Sequence, residues 1–398
     1  MKICAVICEY NPFHTGHLYQ LNEAAKKFDH TICIMSGNFV QRAEPAVAEK
    51  YVRAEIALRC GASMVLELPI IYATANGERF ADGAIKTLKN LKDVDALVMG
   101  CETADTDALI TLSEIQSRED DDFKTLLAKN LDNGLSYAAA LSSATSVMAE
   151  KENIPSDKSA EILSKPNNIL CIEYIKALKR NGLSVKPVFV KRKGNDYNNF
   201  SAIGNYLSAS ALRELIYKGD YNAAAPYLTG ENEILFEELR RHKPDKKAFS
   251  DLAVYKLRTS STAEIAKAFD CREGLEYRLS EAARTSITLD EVLLKSKTKR
   301  YTMSRLKRVV LQVMLGITED IYENSSALPP RLLAIKENFK PYLTENGKNM
   351  IIRSEDLNRY DGEFFNKFFE IEKKAAALYS VVTHNQNDLF LPGKLFSI

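Results

Sequence analysis

The 398-residue chain contains no apolar run approaching the ~20 residues that a membrane-spanning helix needs. Its seven cysteines (Cys4, Cys8, Cys33, Cys60, Cys101, Cys171 and Cys271) form no C-x-x-C pair, which argues against zinc ribbons and redox-active dithiols. Most of them lie in apolar runs, as buried thiols of a reducing compartment do. Neither sign of charge dominates: 54 Lys and Arg against 53 Asp and Glu leave a net charge of +1, so any surface for nucleic acid must be local. There is no internal repeat and no low-complexity tract. The first apolar run is short and passes straight into a polar motif, so no signal peptide is expected. With 27% charged and 45% hydrophobic residues the composition is that of a globular protein, and the length allows two domains with a core each. A soluble, cytoplasmic protein is the expectation.

What is present begins at the N-terminus. Ile3-Cys4-Ala5-Val6-Ile7 reads as a buried strand. Cys8-Glu9-Tyr10-Asn11-Pro12-Phe13-His14-Thr15-Gly16-His17 follows, with Asn11-Pro12 as a turn. Leu18, Leu21, Ala25 and Phe28 then recur at helical spacing, with Tyr19 and Gln20 in the first turns. A strand, a tight turn and a helix N-terminus make a phosphate site, because unpaired N–H groups and the positive end of the dipole meet there. His14 and His17 are three apart and share one side of the first turn, and Gly16 lets a nucleotide approach the backbone. Two imidazoles at that mouth can donate to phosphate oxygens as charge develops. A bare H-x-G-H also fits a metal pair or two surface histidines; its place after the first strand of an alternating α/β pattern favours catalysis.

Further strands are expected at Thr31–Met35, Met64–Leu68, Ala96–Met99 and Val185–Val190, with helices at 47–60, from Pro69 to about Leu91, over 105–150 and at Ile169–Arg180. Short links between them imply a parallel sheet with right-handed crossovers, and ligands in such sheets bind beyond the carboxyl ends of the strands. Those ends are the motif, Ser36-Gly37, Pro69 and Gly100-Cys101-Glu102. Asn153 to Pro166, with two prolines, reads as a loop, and Asn167 or Asn168 as a helix N-cap or a ligand contact. Lys191 to Tyr197 closes the last strand. Leu207-Ser208-Ala209-Ser210-Ala211-Leu212-Arg213 opens a helix; its hydroxyls suit capping, and with Arg213 a second phosphate clamp.

From about Asp220 no convincing strand pattern is left, and a second, all-helical domain is expected over 220–398 after an α/β domain over 1–219. Seven basic residues fall between Lys295 and Arg308 with no acid: Lys295, Lys297, Lys299, Arg300, Arg305, Lys307 and Arg308, with Tyr301 among them. Arg240, Arg241, Lys243, Lys246 and Lys247 form a second cluster. Such clusters suit a phosphate backbone; a solvated helix face is the alternative.

The motif from Glu9 to His17 resembles the signature of the HIGH-type nucleotidyltransferase superfamily, and Leu207 to Arg213 resembles its second, serine-rich signature. Met35-Ser36-Gly37, Gln41-Arg42, Glu44-Pro45-Ala46, Glu67-Leu68-Pro69, Ser164-Lys165-Pro166-Asn167-Asn168-Ile169-Leu170 and Thr298-Lys299-Arg300-Tyr301-Thr302 are similar, in order, to the bacterial tRNA(Met) cytidine acetate ligase family. Ala43 stands where that family usually has glycine after Gln-Arg, Cys101 where serine is expected, and Ala334 where glycine is common. The resemblance implies a Rossmann-like parallel sheet followed by a helical C-terminal domain. It implies formation of acetyl-adenylate from ATP and acetate, and acetyl transfer to the wobble cytidine of elongator tRNA(Met), giving N4-acetylcytidine. Implied catalytic residues are His14 and His17. Implied ATP contacts are Ile7 to Gln20, Gly100, Asn167 or Asn168 and Arg192, with Ser208, Ser210 and Arg213 as the second clamp. Lys297, Lys299, Arg300, Arg305, Lys307 and Arg308 are the candidates for tRNA. Magnesium is expected to ride with the phosphates, since no carboxylate cage is visible. The alternative activity is transfer of AMP to a small phosphorylated acceptor in coenzyme biosynthesis, which has little need of the basic segment; a third reading is a non-catalytic RNA-binding protein with a decayed nucleotide fold.

Overall fold

The apolar runs pair into one sheet. In the computed structural model, which describes residues 1–118, 120–193, 206–325, 328–386, 390 and 396–398, β1 (Ile3–Cys8), β2 (His30–Ser36), β3 (Met64–Leu68), β4 (Ala96–Cys101) and β5 (Lys186–Lys191) run parallel in the order β5-β4-β1-β2-β3. The strands are apolar on both faces because both are covered. Ile3 and Ala5 point into one core with Ile32, Ile34 and Leu97, whereas Cys4 and Val6 point into the other with Cys33, Met35 and Val98. The site-bearing helices are α1 (Thr15–Ala25), α2 (Lys50–Arg59), α3 (Gly77–Lys89), α4 (Pro166–Arg180) and α5 (Ala209–Lys218). Helices α1, α2 and α5 cover the second face, and α3 and α4 the first. Of the loop that closes β5, residues 194–197 lie outside the described residues. No described helix is long and apolar enough to cross a membrane.

The C-terminal region is helical, with its own core of Leu257, Leu279, Val292 and Leu306 among helices that include α6 (Leu289–Ser296) and α7 (Met303–Leu315). It is not free of strands. β6 (Arg331–Ile335) pairs antiparallel with β3, and β7 (Phe396–Ser397) adds beside β6, so the sheet has seven strands. Leu332, Leu333 and Ala334 favour helix by propensity; burial on both faces and the open edge of β3 decide otherwise. The 21-residue helix α8 (Glu363–Thr383) also returns to the sheet, placing Phe368, Ile371 and Tyr379 in the first core. Between Asn153 and Pro166, Ser156–Ser164 is a helix rather than loop: Pro155 precedes it and Pro166 opens the next, where proline is tolerated, and Ser159, Ile162 and Leu163 are buried.

Beneath β3 lies a buried ionic cluster. Lys50 Nζ donates to both oxygens of Glu67 at 3.0 and 2.8 Å, Arg331 donates to Glu67 from the other side, and Arg331 lies 3.8 Å from Glu372. Glu372 accepts the Ile70 N–H at 2.8 Å. Four elements, α2, β3, β6 and α8, are thereby joined through charges that none of them could bury alone. Burial and the Glu67 charge push the Glu372 carboxyl up to about 7, against the pull of Arg331. Between the ordinary 4.5 and that value the folded protein holds a proton that the unfolded chain has released, so this group's contribution to stability falls as pH rises through that window. Glu372→Gln keeps an acceptor for Ile70 N–H and removes the titration. Its unfolding free energy, measured by urea denaturation across pH 5 to 7, is expected to decline less than that of the wild type, by on the order of 1–3 kcal/mol. Parallel pH profiles would show that Glu372 does not titrate there.

Candidate active site

The chain order reverses between β1 and β4, and a cleft opens there at the carboxyl ends of both strands. His14 caps α1 with its own ring: its Nδ1 accepts the Gly16 N–H at 3.0 Å, and His17 Nδ1 reaches back to the His14 N–H at 3.3 Å. This is the reciprocal logic of a capping box, built from two imidazoles. The rings stack at 3.8 Å, with Phe13 packed 5.6 Å from His17. Because each Nδ1 accepts, each neutral ring carries its proton on Nε2 and is a donor there. His14 is 4% exposed, and its Nε2 has no protein partner. Burial, then the charges of Arg192 and Arg213, hold His14 down to about 3; burial, His14 and Arg192 hold His17 well below its ordinary value. Both rings are therefore neutral donors in the free protein.

Gly16 serves His14 directly. A Cβ there would fall 2.8 Å from His14 Cε1, so the absent side chain makes room for the capping ring. Arg213 donates to Asn11 O at 2.9 Å and to Ser210 Oγ at 3.0 Å, fixing the motif loop from α5. Ser208 is a plain N-cap, accepting from Ala211 N at 3.2 Å, and also lines the cleft. Arg192 comes in from the end of β5, its N–H bonded to Cys101 O at 2.8 Å and its side chain over Gly100.

The cleft collects Ile7, Cys8, Glu9, Tyr10, Asn11, His14, Gly16, His17, Tyr19, Gln20, Gly100, Asn167, Arg192, Ser208 and Arg213 from the expected set. It leaves out six. Phe13 is core, Leu18 packs in the second core, and Pro12, Thr15 and Ser210 are not in its wall. Asn168 is 1% exposed and structural: its Oδ1 accepts from Glu102 N at 2.7 Å and Thr103 N at 3.2 Å, so it caps the loop after β4 and not its own helix, whose N-cap is Lys165. Asn167 faces the cleft, held by both oxygens of Glu102 at 3.0 and 2.9 Å. Ser36-Gly37 and Pro69 end their strands outside the cleft. Gln41, Glu102 and Tyr174 line it without having been singled out as contacts. Glu102 follows Gly100 at a strand end, and Tyr174 lies two turns after Asn167 on one face of α4, so both had a readable signal.

The loop after β2 borders the site. Ala43 adopts φ 56°, the left-handed region where an L-alanine costs ~1 kcal/mol and glycine is at home. Beside it, Glu44 contacts Lys307 on α7. The six basic candidates divide here. Lys297, Lys299 and Arg300 are exposed, with no ion pair among the described residues. Arg305 donates to Asp270 O at 3.0 Å, and Arg308 pairs with Asp270 at 2.9 Å while 12% exposed, so both brace the helical core. In the second cluster, Arg241 pairs with Glu237 at 2.7 Å and Lys247 with Asp251 at 2.5 Å.

Two neutral imidazole donors at a helix N-terminus, two guanidinium groups and a strand-order switch are the components a HIGH-type nucleotidyltransferase site requires. The family described as HIGH Nucleotidyl Transferase matches residues 1–390. The tRNA(Met) cytidine acetate ligase of Thermoanaerobacter sp. (strain X514) is 34% identical over 395 residues, covering 97% of each chain, and that of Acetivibrio thermocellus 35% over 403, covering 97% of this chain and 96% of its own. TmcAL of Thermotoga maritima superposes with a TM-score of 0.93 in its apo form at 30% identity over 100% of both chains, and 0.91 with alpha-thio ATP bound, at 29% identity over 100% of this chain and 99% of its own. The chain belongs to the tRNA(Met) cytidine acetate ligase family within the HIGH nucleotidyl transferases.

Gly16→Ala tests the capping ring. It is expected to displace His14 and slow ATP turnover by about 10- to 100-fold in a protein with unchanged circular dichroism. Unchanged turnover would show that the His14 position does not matter.

Proposed function

We propose that the protein is an ATP-dependent ligase that joins acetate to AMP as acetyl-adenylate and passes the acetyl group to the wobble cytidine of elongator tRNA(Met), giving N4-acetylcytidine, in the cytoplasm. The observation that carries this reading is the pair of neutral imidazoles, His14 and His17, that line the cleft together with Arg192 and Arg213. Acetate is ionised at neutral pH and attacks the α-phosphorus without a base. The new bond runs from carboxylate oxygen to phosphorus, and the bond to the bridging oxygen of pyrophosphate breaks. Charge grows on the phosphate oxygens, where donors already in place stabilise it without reorganisation. The unpartnered Nε2 of buried His14 fits a phosphate acceptor, and Asn167, Ser208 and Gly100 line the same cleft. Among the described residues no three His, Cys, Asp or Glu side chains could hold a metal together, so magnesium would have to be held largely by the phosphates themselves.

The helical region supports the RNA half of this reading. Lys297, Lys299 and Arg300 leave their charges to solvent at the N-terminal side of α7, and α7 touches the loop beside the cleft through Lys307 and Glu44. We assign residues 1–219 to catalysis and, within the region after Asp220, the helices that flank Lys297, Lys299 and Arg300 to tRNA. An anticodon base, already in a loop, enters a pocket at low cost.

Two measurements test the reading. Purified protein is expected to exchange pyrophosphate into ATP only when acetate is present, with no tRNA needed; exchange without acetate, driven by a small phosphorylated acceptor, would support the alternative nucleotidyltransferase. Lys299→Glu with Arg300→Glu is expected to weaken tRNA binding about 10-fold or more at low salt and to flatten the dependence of log K on log salt by about one per cation. A salt slope identical to that of the wild type would remove this segment from the tRNA surface.

A further inference from the structure

Acetyl transfer releases a proton that acetate activation does not. The exocyclic amine of cytosine is a weak nucleophile, and its attack on a carbonyl carbon leaves a positively charged nitrogen unless a base takes the proton. We propose that Glu9 is that base, an assignment that rests on the function proposed above.

The histidines, the buried thiols and phenols and the second carboxylate of the cleft are already committed. His14 and His17 each spend Nδ1 on a main-chain N–H and carry a proton on Nε2, so neither has a free lone pair, and a second proton is opposed by burial and by Arg192. Burial pushes the thiols of Cys8 and Cys171 and the phenols of Tyr10 and Tyr174 upward, which keeps them protonated. Glu102 has one oxygen on Asn167 N and the other on Asn167 Nδ2.

Glu9 differs. Its Oε1 accepts the Gln41 N–H at 2.8 Å, which fixes the carboxylate, while Oε2 has no recorded partner among the described residues. The residue follows the last residue of β1, and its carbonyl accepts from buried Arg53. Both its main chain and one carboxylate oxygen are thus anchored, and the residue lines the same cleft as the two imidazoles. In the step assigned to it, cytidine N4 bonds to the acetyl carbonyl carbon, Glu9 Oε2 takes one N4 proton, and the bond from that carbon to the phosphate oxygen breaks with its electron pair on AMP. Cytidine and acetyl-adenylate become N4-acetylcytidine, AMP and one proton, which leaves Glu9 for water.

Single-turnover transfer to tRNA from enzyme preloaded with acetyl-adenylate, read beside acetate-dependent ATP–pyrophosphate exchange, separates the two steps. In Glu9→Gln, transfer is expected to fall at least about 100-fold further than exchange. In Glu9→Ala, added formate, small enough for the vacated space, is expected to restore transfer by at least ~10-fold and to leave Glu9→Gln unchanged. Equal losses in the two steps, transfer at the wild-type rate, or no response of Glu9→Ala to formate would overturn the assignment. Wild-type enzyme that exchanges pyrophosphate but never acetylates tRNA would contradict the proposed function itself, and that arm is read before any variant is compared.

Discussion

One guanidinium holds the ends of two strands together. Arg53 on α2 is fully buried, and its recorded hydrogen bonds all run to main-chain carbonyls: Ala48, Glu9, Ser36 and Gly37. It makes no ion pair among the described residues. Its charge is spread over carbonyl oxygens that would otherwise be buried without donors, which is how an unpaired guanidinium becomes tolerable in an interior. Glu9 follows the strand that leads to His14, and Ser36 and Gly37 lead to the loop of Gln41, Ala43 and Glu44. The first strand, the motif turn and the loop beside the cleft therefore share one anchor.

The electrostatics of the site follow from that rigidity. The two imidazoles are neutral because capping contacts occupy Nδ1, burial disfavours a second proton, and Arg192 and Arg213 supply the positive field instead. In the proposed reaction this gives a division of labour: fixed cations would attract the nucleotide, and directional N–H donors would meet the oxygens on which charge grows. The ionic cluster of Lys50, Glu67, Arg331 and Glu372 lies behind this arrangement and welds the C-terminal strand and helix to the nucleotide-binding sheet. A Cβ at Gly37 would fall 2.1 Å from Glu67 Oε1, so the loop that carries Gln41 starts hard against that cluster.

Much of this was legible in local pattern. The five parallel strands, the histidine turn, the Ser208 cap and the meeting of the motif with Gly100 and Glu102, though not with Ser36-Gly37 or Pro69, follow from hydrophobic runs, turn residues and spacing. What escaped depends on partners far apart in the chain. Glu67 meets Arg331 across 264 positions, and no window of sequence records it. Arg331–Ile335 carries helix-favouring leucines and becomes a strand only because β3 offers an edge. Six neighbouring cations look alike in sequence, yet Asp270 and Glu44 claim three of them and leave Lys297, Lys299 and Arg300 to solvent. Asn167 and Asn168 are adjacent and chemically identical; the helix turns one toward the cleft and the other into the loop after β4.

The most direct measurement is mass spectrometry of nucleosides from elongator tRNA(Met) incubated with the purified protein, ATP and acetate. N4-acetylcytidine at the wobble position, absent when either ATP or acetate is omitted, is the predicted result. Consumption of ATP with no acetylated cytidine would contradict the account and point to a nucleotidyltransferase acting on a small acceptor.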